Sequence, residues 1–138
     1  MEEATFRGSC LCGQVRFAAR GAAILFQYCH CSRCRKRSGS AHCANLMFKV
    51  EHFAWEAGEA LTKRFELPAA ERFCSGFCTV CGSAVPWVTR NAKYVIVPAG
   101  ALDESPDIFP ERNVHFDSRA QWYRAASDLP QFAEEASR

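Results

Sequence analysis

Short runs of alternating apolar and polar residues recur along the chain, and this pattern predicts a protein built mainly of β-strands. In the run 14–17, Val15 and Phe17 fall on the same face of an extended segment. Turn-forming residues such as Gly58, Pro68 and Gly100 separate the runs. The further predicted strands cover residues 23–28, 42–48, 61–67, 84–88 and 93–98, with a shorter one at 113–116.

Signals for helices are few. Residues 34–38 predict a helical turn that ends at Gly39, because glycine readily adopts the left-handed conformation at a helix end. A second helix is expected at 118–124, with Ser118 as its N-cap and Trp122 buried. The pattern therefore predicts a mainly β fold, a folded sheet with one or two short helices.

The length of 138 residues fits a single domain, which we place at residues 6–132, with a frayed polar tail at 133–138. Hydrophobic residues make up 49% and charged residues 23%, and the chain has no repeat. This composition excludes an intrinsically disordered chain, a coiled coil and a collagen. The formal net charge of +2 is too small for a protein that wraps a polyanion, so nucleic acid is not an expected partner.

The unusual feature of the composition is its nine cysteines. Disulfide bonds need an oxidising compartment, but the N-terminal sequence MEEATFRGSC is acidic and lacks the apolar stretch of a signal peptide. No apolar run is long enough for a membrane span, so we expect a cytoplasmic protein without membrane contact. Scattered buried thiols are a second explanation, but seven of the nine cysteines lie in CxC or CxxC pairs. Such pairs favour metal binding or redox chemistry.

Two of the pairs have the spacing of a closed, structural zinc site. Cys10 and Cys12 form a CxC, and in an extended segment residues two apart point to the same side. Cys78 and Cys81 form a CxxC, and a glycine that can take positive φ follows each pair. Because structural zinc takes four tetrahedral ligands, we expect these four thiolates to bind one ion.

The middle cysteines have the spacing CxCxxC and comprise Cys29, Cys31 and Cys34. Three protein ligands with an open fourth position are typical of a reactive zinc site. Redox chemistry at Cys31 and Cys34 is the alternative, but no thioredoxin-like βαβ pattern surrounds them. The sequence thus predicts two zinc ions per chain, and partial occupancy is expected only at the second, three-ligand site.

Basic residues surround the middle cluster, namely Arg33, Arg35, Lys36 and Arg37. Arg33 and Arg35 are candidates for binding the carboxylates of a thiol peptide. Two alternatives remain open: balancing the negative charge of the thiolates, or a solvated run of charges.

The remaining titratable residues have open roles. His30 lies between two proposed ligands, but in an extended segment its side chain points away from the metal they share. His42 and His115 are candidate general acids or bases, against the commoner role of a hydrogen-bonded structural histidine. Cys43 alternates with apolar neighbours and is expected in the core. Cys74 lacks the CxxC-Gly continuation and is treated as a free thiol, with a substitute ligand role left open.

Several segments together resemble the glutathione-dependent formaldehyde-activating enzyme family, whose CENP-V/GFA domain has an Mss4-like fold. The resembling segments are GSCLCGQV at 8–15, CHCSRCRK at 29–36, SGSA at 38–41, FCTVCGS at 77–83 and GALD at 100–103. The resemblance continues through 110–115, Trp122 and 129–130, and covers about residues 6–132. It implies a β-tent organised around zinc, with the same division of the cysteines into a structural and a second, activity-associated site.

The family's reaction condenses formaldehyde with glutathione to S-hydroxymethylglutathione and is classed with the carbon–sulfur lyases. The resemblance therefore implies a zinc-dependent lyase whose partner is a small thiol such as glutathione, or its aldehyde adduct. A thiol that binds zinc is deprotonated and can add to an aldehyde carbon. The alternative is a non-catalytic zinc scaffold for protein interaction, which a closed middle site or a long basic extension would favour.

Overall fold

The computed structural model describes residues 4–136 and is mainly β. In this range the strands are β1 (Thr5–Ser9), β2 (Arg16–Arg20), β3 (Leu25–Cys29), β4 (Cys43–Lys49), β5 (Phe53–Ala57), β6 (Thr62–Glu66), β7 (Cys74–Cys78), β8 (Trp87–Val88), β9 (Tyr94–Pro98) and β10 (Arg112–Val114). The one α-helix of residues 4–136, α1 (Ser32–Ser38), connects β3 to β4. Single 3-10 turns cover Val50–His52, Glu59–Leu61, Ala99–Ala101, Phe116–Ser118 and Ala126–Asp128. No helix within the described range has the length and apolarity needed to cross a membrane.

The strands form three sheets. The three-stranded sheet has the order β1-β2-β5 and is antiparallel. The large sheet has the order β10-β3-β4-β9-β8, in which β10 runs parallel to β3 and all other neighbours are antiparallel. The third sheet is the antiparallel pair β6-β7. Within residues 4–136, this mainly β architecture of three sheets and one helix agrees with the Mss4-like fold that the family resemblance implies.

The main hydrophobic core lies between β2 and one face of the large sheet. Phe17 of β2 packs with Leu46 and Phe48 of β4 and with Val95 and Val97 of β9, and all five are fully buried. Burial of side chains of this size stabilises a fold by about 1.5–3 kcal/mol each. Because side chains alternate across a strand, the intervening residues of β4 and β9 must lie on the opposite, outer face of the large sheet.

The predicted strands correspond to β2, β3, β4, β6, β8, β9 and β10, with bounds shifted by at most three residues. Sequence analysis missed β1, β5 and β7. In β1 and β7 a glycine within the strand, Gly8 or Gly76, interrupts the alternation of side chains. These two strands form through pairing with β2 and β6, which is a non-local interaction.

The prediction of a helix at 118–124 is wrong. Phe116–Ser118 forms a single 3-10 turn, and residues 119–125 form turns and irregular backbone. Trp122, expected to be buried, is 68% exposed. Since a helix this short depends on a packed apolar face, a segment in which Ala120 is buried, Tyr123 is half-buried and the rest is exposed lacks the contacts to stabilise one. In the predicted tail, residues 133–136 are exposed and irregular, and 137–138 lie outside the described residues.

Candidate metal centres and the adjoining groove

Four cysteine thiols from distant parts of the chain meet at one point. Cys10 and Cys12 follow β1, while Cys78 ends β7 and Cys81 lies in the turn after it. The four Sγ atoms all lie within 4.8 Å of one another. Cys12 Sγ is 3.5 Å from Cys10 Sγ and 3.9 Å from Cys78 Sγ. This group is termed the four-thiol cluster.

Two tight turns direct these thiols toward one another. The Gly13 N–H donates to the Cys10 carbonyl at 3.0 Å, and the Gly82 N–H donates to the Cys78 carbonyl at 2.8 Å. Both glycines have positive φ, +79° and +76°, which side chains with a Cβ rarely adopt. The glycine after each cysteine pair therefore has the conformational role that the sequence predicts.

Ser83 connects the two turns, and sequence analysis did not single it out. Its Oγ accepts a 3.1 Å hydrogen bond from the Leu11 N–H and lies 3.3 Å from Cys81 Sγ. Hydrogen bonds from the Ser83 side chain and backbone lower the pKa of Cys81 to about 5. This residue therefore favours the thiolate form that a metal ligand needs.

The four-thiol cluster has the chemistry and spacing of a tetrahedral metal site. With zinc–sulfur bonds of about 2.3 Å, neighbouring sulfurs of a tetrahedron lie about 3.8 Å apart. The S···S distances of 3.5 and 3.9 Å agree with this separation. Cys10 and Cys78 also pack against buried Val15 and Val85, where an uncompensated thiolate is costly. The cluster can therefore hold a metal ion.

The sulfurs of Cys29, Cys31 and Cys34 also lie within 4.8 Å of one another. We term this group the three-thiol cluster. Cys29 ends β3, Cys31 is the N-cap of α1, and Cys34 lies in the first turn of the helix. Cys31 Sγ accepts a 3.3 Å hydrogen bond from the Cys34 N–H, which is the capping interaction usually made by a side-chain oxygen. At the other end, Gly39 terminates α1 with φ +64°, as predicted.

The three thiols cannot all be charged without a cation nearby. Contacts with Cys29 and then Cys43, together with burial, raise the pKa of Cys34. The same contact with Cys34 lowers the pKa of Cys29 to about 5. The Cys34 thiol thus keeps its proton while the Cys29 thiol ionises. A divalent cation would replace the proton on Cys34. The three-thiol cluster can therefore hold a metal ion through three protein ligands.

Cys43 lies beside this cluster, directly across the β3–β4 pair from Cys29. It is buried, as predicted. Its Sγ accepts a 3.0 Å hydrogen bond from Arg37 Nη2. The contact with Cys34, followed by the charge of Arg37, lowers the pKa of Cys43 to about 6. At least one residue of the basic segment thus balances the charge of a buried sulfur, which is one of the roles left open by the sequence.

Cys74 belongs to neither thiol cluster. It is buried on β7, where its Sγ accepts a 3.1 Å hydrogen bond from Arg64 Nη2. Arg64 also pairs with Glu66 at 3.0 Å. Cys74 is therefore a free thiol within a polar network.

His30 points away from the thiols into a group of aromatic rings, as its extended context predicts. Its side chain is fully buried, and Nε2 lies 2.9 Å from Asn113 Oδ1. The rings of His42, Phe116 and Tyr123 surround it with centroid distances of 4.9–5.0 Å. Burial lowers the pKa of His42. His30 and His42 thus belong to a packed aromatic cluster that joins the large sheet to the segment after β10.

An open groove of about 550 Å³ adjoins the three-thiol cluster on the outer face of the large sheet. Its volume is in the range of small-molecule binding sites. All three thiols line the groove, and so does Arg33. Arg35 is not among the lining residues; its Nε is buried and has no hydrogen-bond partner within residues 4–136. Its expected contact with a substrate stays a prediction.

Arg72, Phe73 and Ser118 were not foreseen as groove residues, whereas His115 was already a candidate acid or base. Arg72 and Phe73, from the loop between β6 and β7, form one wall, and His115 and Ser118 line the groove as well. His115 has φ +53°, an unfavourable conformation for a residue with a Cβ. No local motif marks Arg72, because its position depends on how the β6-β7 pair packs against the large sheet.

Comparisons with known proteins agree with this architecture. A crystal structure of a Rhodobacter sphaeroides protein, a structural-genomics target, superposes with a TM-score of 0.61 at 18% sequence identity, covering 78% of this chain and 98% of that one. This likeness concerns the fold alone. Curated proteins gave no match. The model of the family described as glutathione-dependent formaldehyde-activating enzyme matches residues 5–118. The chain belongs to the glutathione-dependent formaldehyde-activating enzyme family.

Proposed function

We propose that this protein is a zinc-dependent enzyme of the carbon–sulfur lyase type, acting on glutathione or another small thiol and its aldehyde adduct. The observation that carries the proposal is that the three-thiol cluster lines a groove of small-molecule size. A purely structural zinc site is closed by four protein ligands. Three thiols beside an open groove favour a site that a substrate can reach.

Zinc is the metal that best fits both clusters, because thiolates in tetrahedral spacing are its usual ligands. Cys10, Cys12, Cys78 and Cys81 would hold a structural ion, and Cys29, Cys31 and Cys34 a second one. The chemistry that the second ion supplies is deprotonation of a bound thiol at neutral pH.

The proposed reaction adds a thiol to an aldehyde. A carbon–sulfur bond forms, the carbonyl π bond breaks, and the thiol proton is transferred to the former carbonyl oxygen; the reverse reaction is the lyase direction. Within the groove, His115 is the side chain suited to move that proton. Arg33 and Arg72 are suited to bind the carboxylates of a thiol peptide. The reaction itself needs no oxidant.

The small net charge and the absence of a membrane-spanning helix within residues 4–136 support small molecules, rather than nucleic acid or lipid, as partners. We further propose a cytoplasmic location, since free thiols in paired spacing persist in a reducing compartment.

The test compares three cysteine variants with the wild type for zinc content, circular dichroism and adduct formation from formaldehyde and glutathione, followed by exchange NMR. The wild type should bind two zinc ions. Cys31→Ser should stay folded, hold one ion and lose turnover. Cys78→Ser should lose its fold, because structural zinc contributes folding free energy. Cys74→Ser is the matched control and should keep two ions and full turnover, since its thiol lies outside both clusters.

Wild-type turnover that persists in Cys31→Ser would show that the three-thiol cluster is not the reactive site. A wild type with two zinc ions and no turnover of any thiol–aldehyde pair would instead identify a non-catalytic zinc scaffold.

A further inference from the structure

The outer face of the large sheet carries an apolar row across four strands. Strand register places Leu25 opposite Met47, Met47 opposite Ile96, and Ile96 opposite Trp87. All four side chains line the groove beside the three-thiol cluster. These residues are termed the apolar row. Leu25, Met47 and Trp87 are half-buried and Ile96 is only 7% exposed, so the row is not an open, solvated face. It gives the groove an apolar lining, which can bind an apolar group of a ligand.

The same register fixes the distance between the apolar row and the thiols. Gln27 and Asn45 form the next row along β3 and β4, and Cys29 lies in the row after that. With a rise of about 3.4 Å per residue, the apolar row lies about 14 Å along the strands from Cys29. A ligand that reaches both ends of the groove must therefore be extended, with an apolar end far from its sulfur.

Charge distinguishes the two ends of the groove. Arg33 lies in the first turn of α1, two residues after Cys31. Arg72 precedes Phe73, which packs against the three-thiol cluster. No salt bridge to either guanidinium is found in residues 4–136. These cations match the carboxylates of a thiol peptide, whereas the apolar row has no counterpart in glutathione or formaldehyde. The apolar part of the ligand must then come from the group attached to the sulfur.

We propose that the groove selects thiol conjugates with an apolar sulfur substituent, the adducts of longer-chain or aromatic aldehydes, and binds that substituent on the apolar row. This inference rests on the proposed function, because it places the substrate sulfur at the three-thiol cluster. It concerns the identity of the aldehyde, which the thiol clusters do not specify.

The test measures binding of two unreactive thioethers, S-methylglutathione and S-decylglutathione, to the zinc-loaded full chain by isothermal titration calorimetry. The extended decyl chain matches the distance from the thiols to the apolar row. S-decylglutathione should bind at least about tenfold more tightly, because its additional methylene groups leave water. Leu25→Gln and Met47→Gln should each reduce the ratio of the two dissociation constants to about threefold or less. Ile24→Gln is the matched control: Ile24 is the neighbouring residue, 46% exposed, and does not line the groove. It should keep the wild-type ratio.

Equal affinity for the two thioethers would overturn this inference and leave the proposed function standing. Binding of neither would overturn both. A decyl preference that survives in both groove variants, or is lost in Ile24→Gln, would place the apolar contact elsewhere and refute the assignment to this row. A wild-type dimer that Leu25→Gln converts to a monomer would identify a second copy of the chain as the occupant instead. Circular dichroism and zinc content establish that each variant is folded and loaded.

Discussion

The buried ring of His30 is hydrogen-bonded to Asn113, with 2.9 Å between Nε2 and Oδ1. This bond connects β10 to the residue between two sulfurs of the three-thiol cluster. The His30 N–H also donates to the Val114 carbonyl at 3.0 Å, so backbone and side chain act together. Since His115 follows directly, the pair also positions a wall of the groove.

Asn113→Ala should lower the free energy of unfolding by about 1–3 kcal/mol, because it leaves a buried ring nitrogen without a partner. Chemical denaturation measures this loss. Arg112→Ala is the matched control from the same strand: Arg112 is exposed and contacts Gln27 at 2.9 Å. The control should change stability by about 0.5 kcal/mol or less. Equal effects of the two substitutions would show that the hydrogen bond to the buried His30 ring stabilises the fold no more than the exposed contact of Arg112.

Gly8→Ala should destabilise the fold by about 1–3 kcal/mol through overpacking. A Cβ at this position would overlap the Phe17 ring and lie 2.6 Å from the Ala101 carbonyl oxygen. Gly100→Ala places its methyl group in open space and should leave the melting temperature nearly unchanged. If thermal unfolding finds the two variants alike, β1 does not approach the core as closely as described.

Acid should destabilise the wild type partly through His42. Burial lowers the pKa of His42 in the folded state, whereas histidine in an unfolded chain titrates near pH 6.5. The unfolded state therefore binds the proton first, and the stability contribution present above pH 6.5 is lost as the pH falls below it. Urea denaturation at pH 7.5 and 5.5 should show a smaller loss for His42→Phe than for the wild type. Identical losses would mean that His42 does not contribute to acid sensitivity.

Chelation should remove zinc in two steps. The three-thiol cluster has three protein ligands and lines an open groove, so its ion should leave first. The far-ultraviolet circular dichroism should persist through this step and collapse only when the four-thiol cluster loses its ion. Zinc release to a colorimetric indicator, recorded beside the spectrum, follows both events. Unfolding that accompanies the first equivalent of zinc would contradict the division into a structural and a reactive site.

Arg33→Gln and Arg72→Gln should each raise KM for glutathione by about threefold to tenfold, with a smaller change in kcat, because both cations line the groove and are proposed to bind carboxylates rather than the reacting sulfur. The salt dependence of KM should weaken in both variants. Arg20→Gln makes the same charge change at the end of β2, away from the groove, and should keep the wild-type KM. An equal rise in all three variants would point to net charge rather than binding in the groove.

Much of the metal chemistry could be read from local spacing. A CxC, a CxxC and the glycine after each pair bring sulfurs together over a few residues, so the thiol pairs and their turns followed from local sequence. The meeting of two such pairs in the four-thiol cluster is non-local, because Cys12 and Cys78 lie 66 residues apart. The helical end at Gly39 and most strands also followed from local sequence, because capping and alternation are local properties. Even the orientation of His30 away from the thiols followed from its place between Cys29 and Cys31 in an extended segment.

Only the tertiary structure decided what surrounds the clusters. The contact of Arg37 with Cys43 depends on how α1 packs beside β4, and the wall residue Arg72 depends on the position of the β6-β7 pair. The apolar row exists because four strands align in one register, which no single segment encodes. The helix predicted at 118–124 does not form for the same reason. Local helix propensity is a weak determinant, and long-range packing decides whether a short segment is helical. The thiol pairs were therefore local, while the joining of two pairs in the four-thiol cluster and the surface available to a substrate were set by strand register and sheet packing.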